Sequence, residues 1–227
     1  MERDAEGMPP YIDVHTHSRG KGGIYILDIS DGKEARTGER CSAGVHPLFI
    51  EGKEQLEKVR EYAEKGKLAA IGEAGFDRNS LSDISLQTVV FEEQVRISES
   101  CRLPLIIHCV RAYPELLAVY KKMRPLQAWI IHGYNNNIQI LSELLKHDFY
   151  ISVGKKVFAE NSNIRHLLPV LPDDRIFLET DDGGSTIEEV YRTTAAIKNR
   201  PLEILQEEVW DNFKKVFGKC AGEKEGI

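Results

Sequence analysis

No apolar run in the 227 residues approaches the length of about 18 or more that a membrane-spanning helix needs, which excludes a helical membrane protein. Cysteine is scarce: Cys41, Cys101, Cys109 and Cys220 stand singly, without CxxC spacing. In a chain too long for a disulfide scaffold these read as reduced thiols, and reduced thiols predict a cytoplasmic protein. Basic charge is not in excess either, since 30 Lys and Arg face 36 Asp and Glu for a net charge of −6. That argues against a broad basic surface gripping nucleic acid by counterion release alone, and leaves room for a compact site that handles phosphate through metal ions. Residues 1–10 are charged and lack an apolar core, so they are not expected to act as a signal peptide. Repeats and low-complexity stretches are also missing. What is present is an ordinary globular profile, 41% hydrophobic and 29% charged, read as one domain over residues 1–227.

Short apolar stretches with strand character recur at 11–15, 24–29, 42–46, 68–72, 105–108, 129–132, 149–153 and 176–179. From the third onward they alternate with segments of helical period, such as Leu56/Val59/Ala63 and Ile187/Val190/Tyr191/Thr194. Ser185 and Glu188 form a capping-box pattern before the latter, and Pro201 marks the start of a final helix. Eight strand–loop–helix units predict a TIM-type (β/α)8 barrel. The beginning fits less well. Only six residues separate His17 from Ile24, whereas a parallel crossover is expected to need about a dozen. The second crossover is cramped between Asp31 and Arg40. The barrel is therefore expected to be trimmed or distorted in its N-terminal third, or to have an antiparallel second strand.

Five of the seven histidines, His15, His17, His46, His108 and His132, fall at the C-terminal end of a predicted strand. In a barrel those ends share one mouth, where active sites are built. In extended chain His15 and His17 project on the same side and can clamp a divalent ion, although an isolated HxH is more often a pair of surface or core histidines. Other groups change that balance. Gly72-Glu73-Ala-Gly75-Phe-Asp77 sets a carboxylate just past an apolar strand, and Glu179-Thr-Asp181-Asp182 ends the eighth strand with three acids. Such a crowd of acids and imidazoles calls for a cation. Cys109, beside His108, is expected to be a packed thiol rather than a ligand. Gln87, Phe91 and Gln94 share a helix that packs and hydrogen-bonds behind the sheet. Lys155 and Lys156 read as solvated, and Asn135, Asn136 and Asn137 as a turn and helix entry.

In order, Asp13-x-His15-x-His17, Gly44-Val-His46-Pro47, Gly72-Glu73-x-Gly75-x-Asp77, the Gln87–Gln94 spacing, His108, His132-Gly-Tyr134 and Glu179-Thr-Asp181 resemble the TatD family of metal-dependent hydrolases. The resemblance covers essentially residues 11–217. That family belongs to the amidohydrolase-like barrels, and its studied members are mostly deoxyribonucleases using two divalent ions. The resemblance implies that His15, His17 and Asp181 hold one ion, and that Glu73 bridges to a second ion held by His108 and His132. It places His46 against the substrate, at a phosphate oxygen. Oxygen and imidazole donors suit zinc, manganese or magnesium. The implied reaction is hydrolysis of DNA phosphodiesters by a water activated between two ions, with Asp181 orienting it and accepting its proton. Expected partners are DNA or another phosphoester substrate, with no membrane and no obligate protein partner evident.

The chain departs from the family pattern in three places. Its stretch from His17 to Gly44 is short, Val110 stands where arginine is common with Arg111 following, and Asp182-Gly183-Gly184 replaces a small residue and proline. Three alternatives accompany the nuclease reading: a small-molecule amidohydrolase or lactonase, a PHP-type phosphoesterase, and a metal-binding descendant without catalysis. Lactonases often bridge their ions with a carboxylated lysine, and Glu73 holds that place here.

Overall fold

The computed structural model describes residues 7–20 and 22–218, so Cys220 and the two ends of the chain lie outside the described residues. Eight strands, β1 (Ile12–Thr16), β2 (Ile24–Asp28), β3 (Arg40–Ala43), β4 (Ala70–Asp77), β5 (Leu105–Val110), β6 (Trp129–Ile131), β7 (Tyr150–Val153) and β8 (Ile176–Leu178), pair in chain order. Every pairing is parallel. The segment after β8 returns to β1: Asp181 N–H donates to His15 O at 3.0 Å and His17 N–H to Asp181 O at 2.9 Å. The result is a nearly closed TIM-type barrel, as predicted.

Helices α1 (Lys53–Glu64), α2 (Ile84–Cys101), α3 (Tyr113–Met123), α4 (Ile138–Leu145), α5 (Asn163–Leu167), α6 (Ile187–Lys198) and α7 (Leu202–Phe217) all follow β3. Among the described residues no α-helix lies between β1 and β2 or between β2 and β3, so the N-terminal third is trimmed. The antiparallel alternative for the second strand is wrong: β2 runs parallel to β1, with Ile12 opposite Ile24. Strand length explains this. The five residues of β1 rise only about 16 Å, and the connection over 17–23, drawn out, reaches about 23 Å. The chain can thus return to the bottom of the barrel without a helix. An irregular loop over 29–39 makes the second return.

Two strand boundaries move. β3 stops at Ala43, short of His46, because His46 caps a tight 3-10 turn over Pro47–Phe49. β4 begins later and runs on to Asp77, so Glu73 lies within the strand rather than just past it. Glycine makes that possible. At Gly75 (φ +146°) a Cβ would sit 2.0 Å from His108 O, so only glycine lets β5 approach this closely.

Helix packing then fixes the strand ends. Phe76, Phe91, Trp129 and Phe149 are fully or almost fully buried and meet edge to face at 5.1–5.4 Å between centroids, joining α2 to the sheet. From the same helix Gln94 accepts from Val45 N–H at 2.7 Å and donates to Val45 O at 3.1 Å. Gln87 does the same to the backbone of Asp77, at 2.9 and 3.0 Å. The expected hydrogen bonding behind the sheet is thus observed, and it pins the backbone next to His46 and at Asp77. Asn137 caps α4, as its position predicted. The α6 capping box is Thr186 with Glu189, one residue later than the predicted Ser185 and Glu188. Near the end Asn212 donates to the carbonyls of Asp173 and Ile176, tying α7 to the start of β8. Among the described residues no helix is long and apolar enough to cross a membrane.

Candidate metal centre

Strand alternation places Asp13, His15 and His17 on one side of β1. Asp13 is buried and accepts from Thr180 N–H at 3.0 Å and Thr180 Oγ1 at 2.6 Å, which clasps the 179–181 segment to β1. With the two backbone bonds of Asp181, this sets the register between the histidine pair and the Asp181 carboxylate, 165 residues away along the chain from Thr16, its bridge partner. His15 Nε2 then stands 3.5 Å from Glu73 Oε2 and 3.8 Å from Asp181 Oδ1, and His17 Nε2 stands 3.6 and 3.7 Å from the same atoms.

Glu73, on β4, lies between two groups of imidazoles. Its other oxygen, Oε1, is 2.7 Å from His108 Nδ1, 2.7 Å from His132 Nε2 and 3.2 Å from His46 Nε2. Behind two of these rings stand further carboxylates. Asp77 Oδ2 is 2.9 Å from His108 Nε2, and Glu179 Oε1 is 3.5 Å from His132 Nδ1 while accepting from Gly133 N–H at 2.7 Å. An acid behind an imidazole is the usual support that orients a metal-ligating histidine. All seven residues singled out from the sequence therefore meet at one mouth. Asp28, Asp77 and Glu179 join them without having been assigned a role. Their signals were legible: Asp28 and Glu179 end strands as the histidines do, and Asp77 shares Glu73's face at a spacing of four.

The electrostatics are those of a cation site. Burial alone would raise Glu73, but the charge of His132 and hydrogen bonds from His108 and His132 outweigh it and hold the carboxyl well below its usual range. Burial would lower His132, yet Glu73 and Glu179 hold that imidazole well above its ordinary value. Interaction with Glu73 likewise raises His17, and burial raises Asp181. His15 is fully buried, and neither of its ring nitrogens, nor Glu179 Oε2, makes a hydrogen bond among the described residues. Among the described residues three donor groups each lie within 4.8 Å: His15/His17/Asp28/Glu73, His15/His132/Asp181 and His46/Glu73/His108. Imidazole nitrogens and carboxylate oxygens at 3.5–3.8 Å, too far apart to hydrogen-bond well, match the spacing of ligands sharing one ion at about 2.0–2.2 Å each. The residues present fit divalent metal.

His46 differs. Its Nδ1 accepts from Leu48 N–H at 3.1 Å, so the neutral ring carries its proton on Nε2, the atom facing Glu73. That makes Nε2 a hydrogen-bond donor into the mouth. Beside the centre a cavity of about 130 Å³ is lined by His108, His132, Lys155, Lys156 and Asp181. Lys155, expected to be solvated, pairs with Asp182 and so offsets the extra acid there. Burial pushes the Cys109 thiol up to about 12, which keeps it protonated and unfit as a ligand.

A protein-family model described as TatD related DNase matches residues 32–218. An uncharacterized metal-dependent hydrolase of Buchnera aphidicola is 33% identical over 194 residues, covering 78% of this chain and 73% of that protein. A 3'-5' ssDNA/RNA exonuclease TatD of Erwinia tasmaniensis is 31% identical over 146 residues, covering 62% of this chain and 56% of that one. Among solved structures, a TatD homologue from Escherichia coli superposes with a TM-score of 0.73 at 19% identity, over 86% of each chain.

Proposed function

The chain belongs to the TatD family of metal-dependent hydrolases, and from that premise we propose that it hydrolyses phosphodiester bonds in nucleic-acid strands at a centre of two divalent ions. In this reading His15, His17 and Asp181 would hold one ion and His108 and His132 the other, with Glu73 available to both. The observation that carries it is the division of the Glu73 carboxylate, with Oε2 turned to His15 and His17 and Oε1 to His108 and His132. Relatives named as single-strand exonucleases support the substrate class.

Divalent ions at such a centre supply a water acidified toward neutral pH and positive charge for the phosphoryl oxygens. The protein's side chains do the rest. Asp181, its side chain 25% exposed and its carboxyl raised by burial, orients the attacking water and accepts its proton. His46 donates from Nε2 to a phosphate oxygen. Asp77 and Glu179 hold the rings of His108 and His132 in place. At the rim Phe49 is 66% exposed with its ring 5.4 Å from that of His46, and supplies a face on which a base can stack.

Elemental analysis of purified protein, followed by hydrolysis of single-stranded oligonucleotides with magnesium, manganese or zinc, tests this reading. Two ions per chain and cleavage by the wild type but not by Asp181→Asn are expected. Protein that loads two ions yet leaves single- and double-stranded DNA intact would overturn the nuclease assignment.

A further inference from the structure

The acid that the two-ion assignment leaves unused is Asp28. It ends β2, is 2% exposed, and accepts from two backbone groups, Ser30 N–H at 2.7 Å and Glu73 N–H at 3.3 Å. No lysine or arginine pairs with it among the described residues. A buried carboxylate that accepts only from backbone amides is costly unless a cation stands nearby. One Asp28 oxygen and the donor atoms of His15, His17 and Glu73 all lie within 4.8 Å of one another. β2 pairs in parallel with β1, with Thr16 opposite Leu27, and so delivers its C-terminal acid beside the histidine pair.

We propose that Asp28 is a further oxygen ligand of the ion held by His15 and His17, a proposal that rests on the two-ion reading above. The first ion then sees two imidazoles and the carboxylates of Glu73, Asp181 and Asp28. The second sees two imidazoles and Glu73 alone. Oxygen-rich sets favour harder ions such as Mn²⁺, and imidazole-rich sets suit Zn²⁺. Asp28 therefore makes the two positions unequal, with manganese preferred at the first.

The competing role is positional: Asp28 accepts from Glu73 N–H and holds β4 whether or not metal is present. Calorimetric titration of the full chain with Mn²⁺ and with Zn²⁺, together with melting in EDTA, separates the two. For Asp28→Asn the expected result is Mn²⁺ affinity at one of two positions weakened by at least about tenfold. A smaller loss is expected for Zn²⁺, and a melting temperature in EDTA no lower than that of the wild type. Unchanged Mn²⁺ affinity in folded Asp28→Asn, or a lower melting temperature in EDTA without any loss of affinity, overturns the proposal. Asp28→Ser, read in the same way, serves if the asparagine variant does not fold. Wild-type protein that binds neither ion would remove the two-ion reading itself, whereas equal binding by wild type and Asp28→Asn removes only the role of Asp28.

Discussion

Glu73 and Asp181 are both carboxylates of the same mouth, yet their surroundings set them different tasks. Glu73 is 5% exposed, faces five imidazoles and is held charged by them. Glu73→Gln is thus expected to abolish stoichiometric metal loading, read by elemental analysis, because its amide offers one weak oxygen in place of two charged ones. Asp181 lies nearer the opening and its carboxyl is raised by burial. Asp181→Asn is expected to lower kcat by about 10²–10⁴-fold, the usual contribution of a general base, with the larger share of the loss in kcat rather than KM. Asp13 makes a third case. Burial pushes it up to about 7 from 3.8, so between those values the folded chain keeps a proton that the unfolded chain has lost. Stability must fall with rising pH across that window, by at most about 1.4 kcal/mol per pH unit, and level off above it. Asp13→Asn keeps the acceptor for Thr180 N–H and has no proton to lose. Urea unfolding of metal-free protein at pH 5 and pH 8 is expected to show this component of the slope in the wild type and not in the variant.

Among the elements, β4 bears most on the site. Its glycines allow contact with β5 that any side chain would forbid, and its register with β5 shifts between Ile71 and Ala74, the stretch that holds Glu73. Gly75→Ala must push β5 away from β4, carrying His108 and Asp77 with it. A loss on the order of 3 kcal/mol in urea unfolding is expected, together with reduced metal content. The cap of α6 offers the contrast. Thr186→Ala removes one bond to Glu189 N–H on the outer layer, and is expected to cost about 1 kcal/mol while leaving turnover unchanged. Local patterns of this kind were legible from sequence to within a residue, since period, caps and glycines act over a few positions. The cap itself moved from Ser185 to Thr186 because two hydroxyls stand side by side and the final backbone geometry selects between them.

For the molecule as a whole, the excess of six acids is partly the metal site itself. Asp13, Asp28, Glu73, Asp77, Glu179 and Asp181 converge from four strands or their ends, with imidazoles as the nearest cations. Bound ions stabilise the folded chain by mass action, about 2.7 kcal/mol for one ion at 100 times its Kd. In a chain of this size that corresponds to a rise in melting temperature of about 5–10 °C. Scanning calorimetry in EDTA is therefore expected to show a lower transition than with added zinc or manganese, restored on adding metal back.

The sequence by itself determined the strand count, the order of the units and the residue types at each strand end, because hydrophobic period and chain order alone carry them to one mouth. It did not determine that β2 would run parallel, since that depends on how short β1 is in space. Nor did it determine which atoms face each other. The closure of β8 on β1, the approach of β5 to Gly75 and the placing of Asp28 beside Glu73 N–H all join residues far apart in the chain. Such contacts follow from register across the closed sheet, and register is settled only when all eight strands pack together.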